Sequence, residues 1–280
     1  MAVRLYKPTT PARRGMTTAD TAALTKKKPE KSLLAARTAR AGRNNQGKIT
    51  IRHRGGAVKR HYRLVDFKIE PGFKGKIVAL EYDPNRTAHL ALVELEKGGK
   101  AYILAGSGMK VGQIVESGAD SEIRRGNRLP LANMPVGTQI YNIELVLGKG
   151  GQLARSAGTK AFLVAKEGEF CQVRLPSGEV RLVNQNCMAT IGGVGNEAHQ
   201  NVKYGSAGRR RRLGWRPAVR GKAMNPVDHP HGGGEGGTAT AIYKYGQKTP
   251  WGKPALGLKT RRRKLTDAMI VRGRKKGRRR

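Results

Sequence analysis

Four side chains within eight residues hold the most suggestive chemistry in this chain: Asp228, His229, His231 and Glu235, in the stretch Asn225-Pro226-Val227-Asp228-His229-Pro230-His231-Gly232-Gly233-Gly234-Glu235. Two imidazoles and two carboxylates this close together are what a divalent metal site or an acid–base cluster requires. The local sequence argues against both. Pro230 holds the two histidines along extended backbone, but no helix or strand pattern supports them, and catalytic geometry needs rigid support. A proline turn followed by a glycine tract suits a backbone threaded against packed nucleic acid, where side chains would clash.

A second loop, Gly148-Lys149-Gly150-Gly151-Gln152-Leu153-Ala154-Arg155-Ser156-Ala157-Gly158-Thr159, has the look of a phosphate cradle. It lacks the Gly-Lys-Ser/Thr ending after four intervening residues, so the nucleotide-hydrolase reading fails on spacing. Lys149 and Arg155 among small residues fit contacts to phosphate or sugar instead. Cys171 and Cys187 lie in separate strand-like segments without metal-ligand spacing and read as buried, reduced thiols. Neither Trp215 nor Trp251 is assigned by its context, since each could pack the basic flank or stack on a base. With aromatics at only 5 % of residues there is no aromatic-rich strand for reading single-stranded bases, which favours recognition of folded RNA by shape, phosphate and ribose.

Charge organises these motifs. The net charge is +37, yet residues 61–200 hold 17 Lys/Arg against 14 Asp/Glu, while residues 1–60 and 201–280 together hold 39 against 5. A near-neutral middle is therefore flanked by polycationic arms, which repel themselves and need a dense polyanion. Nucleic acid fits. An anionic membrane would call for an amphipathic helix with an apolar stripe, and the arms are broken by Gly and Pro instead. No run of 18 apolar residues is present, and the opening Met1 to Pro8 lacks the apolar stretch of a secretory signal.

The middle must supply the rigid bodies. Strand patterns fall at His61–Lys68, Lys76–Tyr82, His89–Leu95, Ala101–Ala105 and Gln113–Glu116, with a turn at Asp83-Pro84-Asn85-Arg86 and a hairpin loop at Lys97-Gly98-Gly99-Lys100. Five short strands with Gly-rich turns suit a small barrel of the OB type. A Pro-marked joint, Leu129–Pro135, leads to a second set at Gln139–Leu145, Ala161–Ala165, Phe170–Leu175, Glu179–Val183 and Cys187–Ile191. In Phe170–Leu175 the residues Cys171, Val173 and Leu175 share one face and Gln172 and Arg174 the other, as a half-buried hairpin requires. Spacing gives a second small β-barrel and leaves its topology open. In the first arm, brief helices are expected at Thr17–Asp20 and Pro29–Leu34.

Several of these segments resemble one family: Arg43-Asn44-Asn45-Gln46-Gly47, Glu81–Arg86, Gly148–Thr159, Leu175-Pro176-Ser177-Gly178-Glu179, Met224–Gly236 and Pro250-Trp251-Gly252-Lys253-Pro254 are similar, in order and nearly end to end, to the bacterial-type second large-subunit ribosomal protein. The likeness departs at Gly55-Gly56-Ala57-Val58, where the family pattern is Gly-Gly-Gly-His, and in a longer arginine run at the end. It implies an all-β chain of two small barrels in tandem, OB-like then SH3-like, with long basic, largely irregular extensions. The expected divisions are 1–60, 61–128, 129–200 and 201–280.

The resemblance further implies a non-enzymatic, primary rRNA-binding protein that supports subunit association, tRNA binding and peptide-bond formation. Arg86 and Arg155 match family arginines that contact rRNA near the barrel junction. His229 matches a histidine for which participation in peptidyl transfer has been suggested and disputed. The other expected rRNA contacts are Arg43, Arg52, His53, Arg54, Lys59 and Arg60 in the first arm, and Lys149 in the loop. In the second arm they are Arg209, Arg210, Arg211, Arg212, Arg220, Asn225, His231, Arg261, Arg262 and Arg263. Expected partners are 23S-type rRNA, small-subunit rRNA across the interface and neighbouring ribosomal proteins, with neither a membrane nor a second copy of the chain. No cofactor is expected, Mg2+ being carried by the rRNA, and the expected location is the cytoplasmic ribosome, with a bacterial or organellar source left open.

Overall fold

The first arm opens with paired strands where a helix was expected at Thr17. The computed structural model describes residues 3–25, 28–234, 246–255 and 264–274. In it β1 (Val3–Leu5) runs antiparallel to β2 (Thr17–Ala19). Thr17 is drawn into extended backbone by partners distant in sequence: its N–H donates to the Lys203 carbonyl at 2.9 Å and its hydroxyl accepts from the Lys203 N–H at 2.7 Å. The helix forms earlier, as α1 (Pro11–Arg14), where Thr10 accepts the Arg13 N–H and Pro11 takes the first turn. A 3-10 turn at Lys31–Leu33 is all that forms of the second expected helix; it leads into β3 (Leu34–Ala35), paired with β4 (Tyr62–Arg63). Only those two residues of the His61–Lys68 pattern are strand. Asp66 Oδ1 accepts the N–H groups of Lys68 (2.8 Å) and Ile69 (3.0 Å), a side-chain turn that ends extended backbone.

The first barrel's main sheet contains β5 (Lys74–Glu81), β6 (Leu90–Leu95), β7 (Lys100–Leu104) and β8 (Ile114–Glu116), all antiparallel, in the order β7-β6-β5-β8. Strand β6 reads Leu-Ala-Leu-Val without alternation because both its faces are covered. Ala91 and Val93 join Ile77, Ile103 and Val115 in the barrel interior. Leu90 and Leu92 turn the other way, onto Tyr102, Leu104, Tyr141 and Val194. That second cluster takes residues from both barrels and joins them. Each fully buried leucine of this kind contributes about 1.5–3 kcal/mol. Gly75 has no room for a side chain, since a Cβ there would lie 2.5 Å from the Glu94 carbonyl oxygen.

The second sheet gathers β9 (Arg128–Pro130), β10 (Gln139–Tyr141), β11 (Ala161–Glu167), β12 (Phe170–Arg174), β13 (Val180–Asn184), β14 (Met188–Ile191) and β15 (Ile270–Arg272), in the order β15-β13-β12-β11-β10-β14-β9. The Pro-marked joint thus supplies β9 and a 3-10 turn to this sheet. In β12, Cys171 and Val173 are buried and Arg174 exposed, as the alternation predicts, with Cys171 opposite Val183. Both cysteines are buried and neither is in a disulfide. Burial pushes the Cys171 thiol up and the Cys187 thiol up to about 11. The Gln139–Leu145 pattern stops at Tyr141 because Asn142 takes φ +51° and turns its carbonyl to the Arg128 guanidinium, 2.9 Å away. Arg128 in turn pairs with Glu144 at 3.0 Å, both nearly inaccessible.

The described residues form two compact units. The first comprises those of 1–38, 58–209 and 266–275, and the second those of 39–57 and 210–265. Much of the first arm therefore belongs with the barrels. Among the described residues no helix is long and apolar enough to cross a membrane.

Candidate nucleic-acid interface

Within the first unit, the two arginines matched to rRNA contacts meet at one aromatic ring. The Arg86 guanidinium lies 5.6 Å, and that of Arg155 4.5 Å, from the centroid of Phe67. Each is brought there by a differently built loop. The Asp83–Arg86 turn follows β5 and is organised by Asp83, which is fully buried. Asp83 accepts the Asn85 N–H at 2.9 Å through one oxygen and the Arg86 Nε–H at 2.6 Å through the other. Arg60 braces the same turn by donating to the Pro84 carbonyl at 2.6 Å, and Arg37 donates to Asn85.

Arg155 comes from the Gly148–Thr159 loop of the second barrel. The Gly150 N–H donates to Glu144 Oε1 at 3.0 Å, and the Gly151 N–H to the Phe67 carbonyl at 2.8 Å. A Cβ on Gly151 would lie 2.0 Å from Asn142 Oδ1, so this approach requires glycine. The loop is fixed farther along by the Ala157 N–H donating to the Thr87 hydroxyl at 3.1 Å, while Asn196 donates to the Thr87 carbonyl at 2.7 Å. Arg155 donates to the Gly151 carbonyl at 3.0 Å and remains exposed. Lys149 is exposed on the same loop, and Lys59 is exposed on the approach to the turn. A ring capped by two guanidiniums, with Lys149 exposed on one of the two loops, presents positive charge in a fixed geometry, as phosphate contacts require.

The second unit is built on backbone turns. Asn44 Oδ1 accepts the N–H groups of Gln46 and Lys48, both at 3.0 Å, and Arg43 bridges Ile49, closing a small cationic loop. Arg54 forms a backbone bridge with Trp215 and its guanidinium sits 3.4 Å from the indole centroid, with that of Arg210 at 5.4 Å. His53 takes φ +59° and its carbonyl accepts the Arg216 N–H at 3.0 Å. Arg52 lies 5.4 Å from the Trp251 centroid. Arg211 reaches the Trp215 carbonyl at 3.5 Å, while Arg212 and Arg220 are exposed. Arg209 belongs to the first unit, donating to the carbonyls of Thr17 and Tyr204 at 3.3 Å each.

The histidine loop is folded around its own backbone. The Asn225 carbonyl accepts the N–H groups of Asp228 (3.0 Å) and His229 (3.3 Å). His229 is 8 % exposed and lies under Gly221, where a Cβ would come within 2.5 Å of the ring. His229 Nδ1 accepts the His231 N–H at 3.0 Å, and His231 Nε2 accepts the Lys248 N–H at 2.9 Å. Each ring therefore has one nitrogen engaged by a backbone N–H. Among the described residues no group of three or more His, Cys, Asp or Glu is placed to hold a metal. Glu235, Arg261, Arg262 and Arg263 lie outside the described residues.

Phe67 and Asp83 were not singled out from the sequence. Asp83 carried a signal in its turn, whereas nothing local marks Phe67 as the surface shared by two loops nearly 70 residues apart. Compared with known families, residues 30–117 match the model described as Ribosomal Proteins L2, RNA binding N-terminal domain, and residues 124–252 match Ribosomal Proteins L2, C-terminal domain.

Proposed function

The chain belongs to the ribosomal protein L2 family, structural RNA-binding proteins of the large ribosomal subunit, and from that premise we propose that it is a primary rRNA binder that stabilises rRNA folding. In this reading the barrels are rigid docking bodies and the basic segments supply counter-charge that lets rRNA helices approach one another. Through that scaffold the protein supports subunit association, with contacts to small-subunit rRNA, as well as tRNA binding and peptide-bond formation. Divalent metal is carried by the RNA and not by a protein-only site.

The observation that carries the reading is the convergence of Arg86 and Arg155 on Phe67 from two barrels held by one shared core. Direct proton transfer by His229 is disfavoured because its ring is tucked under Gly221 with Nδ1 already engaged by backbone. We assign it to folding the loop.

The mechanism is tested by titrating salt against binding of a transcribed 23S-type rRNA. Each neutralised phosphate releases condensed counterions, so about six to ten contacts cost about three to five decades of affinity between about 50 and 200 mM. A flat response would remove the electrostatic mechanism. Sedimentation through a high-salt gradient distinguishes a resident subunit protein, which stays with the large particle, from a cycling factor, which is released.

A further inference from the structure

The two tryptophans of the second unit are placed differently. Trp215 is bridged to Arg54, has two guanidiniums over its ring and is 39 % exposed. Trp251 is 75 % exposed, yet the loop beneath it is closely tied. Lys248 bridges Pro254, the Ala255 N–H donates to the Gln247 carbonyl at 2.9 Å, and the Thr249 N–H donates to the Lys253 carbonyl at 2.7 Å. The Gly252 N–H closes a turn onto the Thr249 carbonyl at 2.9 Å, and Lys253 donates to the Thr249 hydroxyl at 3.2 Å. Pro250 presets the second position of that turn and Gly252 follows it at φ +77°, so Trp251 occupies the third position, at the tip. Among the described residues Arg52 is the one cation over its ring, at 5.4 Å.

A large aromatic surface held out by a preformed turn offers a flat partner a contact face at little conformational cost. The surroundings limit what that partner is. Across residues 39–57, 210–234 and 246–255 there are 13 Lys/Arg and one acidic residue, Asp228. The partner that matches both the charge and the ring is anionic and presents flat π faces, as unpaired bases on a phosphate chain do.

We propose that the Trp251 turn is a stacking platform for one unpaired base of folded rRNA, with Arg52 supplying charge to the phosphate of that nucleotide. The proposal rests on the RNA-binding function above and adds a base contact to it. The test uses the full chain and a transcribed 23S-type rRNA, with a Trp215→Phe background so that Trp251 is the single tryptophan, excited selectively over the tyrosines. Saturation with RNA should quench its fluorescence. Trp251→Ala should weaken binding by about tenfold, within the range for loss of one stacked base, and Trp251→Phe should retain most of the affinity. The slope of affinity against salt should stay the same, because no charge is removed.

Wild-type affinity in Trp251→Ala, or unchanged emission at saturation, would overturn the platform while leaving the RNA-binding function standing. So would quenching that appears only when other ribosomal proteins are added, which would assign the turn to a protein partner. Failure of the unaltered chain to bind RNA would overturn both. Because the indole is exposed, an unchanged strand signal in circular dichroism should accompany every variant.

Discussion

The first unit buries two arginines, and among the described residues the second unit buries none. In the barrels Arg63 and Arg128 are buried and each faces a buried carboxylate, Glu81 at 3.2 Å and Glu144 at 3.0 Å. In the second unit Arg52, Arg54 and Arg210 lie over indole rings. Burial divides the same way. Every buried hydrophobic residue among the described residues lies in the first unit, and in the second only Gly214 and His229 are buried. The barrels therefore contain the partners that stabilise them, while the second unit holds its shape with turns and backbone bonds and directs its charge outward. In the function proposed above, rRNA acts on the two regions through different terms: it adds contacts to a folded barrel, and it neutralises the self-repulsion of the cationic unit.

The contrast breaks most directly at Arg128. Arg128→Ala leaves Glu144 buried without its guanidinium, which should cost about 3–5 kcal/mol in urea unfolding. Because Glu144 also accepts the Gly150 N–H, rRNA affinity should fall with it. Arg220→Ala, in the second unit, should leave the unfolding midpoint in place. Comparable midpoint shifts for the two variants would erase the distinction.

A second comparison separates the two arginines over Phe67. Arg155→Ala should weaken rRNA binding by about 1.5–3 kcal/mol, the range for a charged hydrogen bond, with the unfolding curve unchanged. Arg86→Ala removes the partner of the fully buried Asp83 and should lower barrel stability as well. Equal binding losses with no stability change in either variant would mean that Asp83 does not depend on Arg86.

Within the second unit, His229→Ala removes the acceptor for the His231 N–H, worth about 1 kcal/mol. Its expected effect is a smaller yield of assembled subunits, with single-turnover peptide transfer per assembled subunit unchanged. A loss of transfer in correctly assembled particles would restore the catalytic reading.

The smallest effect is expected from pH. His89 is 3 % exposed, and neither ring nitrogen has a hydrogen-bond partner among the described residues. Burial, with a lesser contribution from His199, holds its pKa below the ordinary 6.5. The unfolded chain then binds this proton more readily than the folded one. The contribution to stability is complete above the ordinary value and declines as pH falls below it. Thermal melts at about pH 7.5 and about pH 5.5, on either side of the free imidazole value, should show this loss in the wild type and less of it in His89→Leu.

Elements stabilised by their own neighbours in sequence were legible. The β12–β13 hairpin follows from alternation, and Gly98 and Gly99, at φ +85° and +90°, form the loop expected between β6 and β7. Elements set by distant partners were not. Thr17 is held extended by Lys203, and the tract ending at Lys68 is curled by Asp66. The candidate site divides on the same line. Arg86 and Arg155 could be named from their motifs, but their meeting on Phe67 depends on a fold that brings Gly151 to the Phe67 carbonyl. His229 stood out chemically, while its tight seat under Gly221 left no mark in the sequence.

One strand, β6, has a mechanical consequence. Since Leu90 and Leu92 serve the joint cluster while Ala91 and Val93 serve the barrel interior, neither barrel can be excised without stripping an oily wall bare. Fragments cut near residue 120 should clump more readily than the intact chain. In the whole chain that same strand works as a fixed gauge, setting the distance between the two barrels.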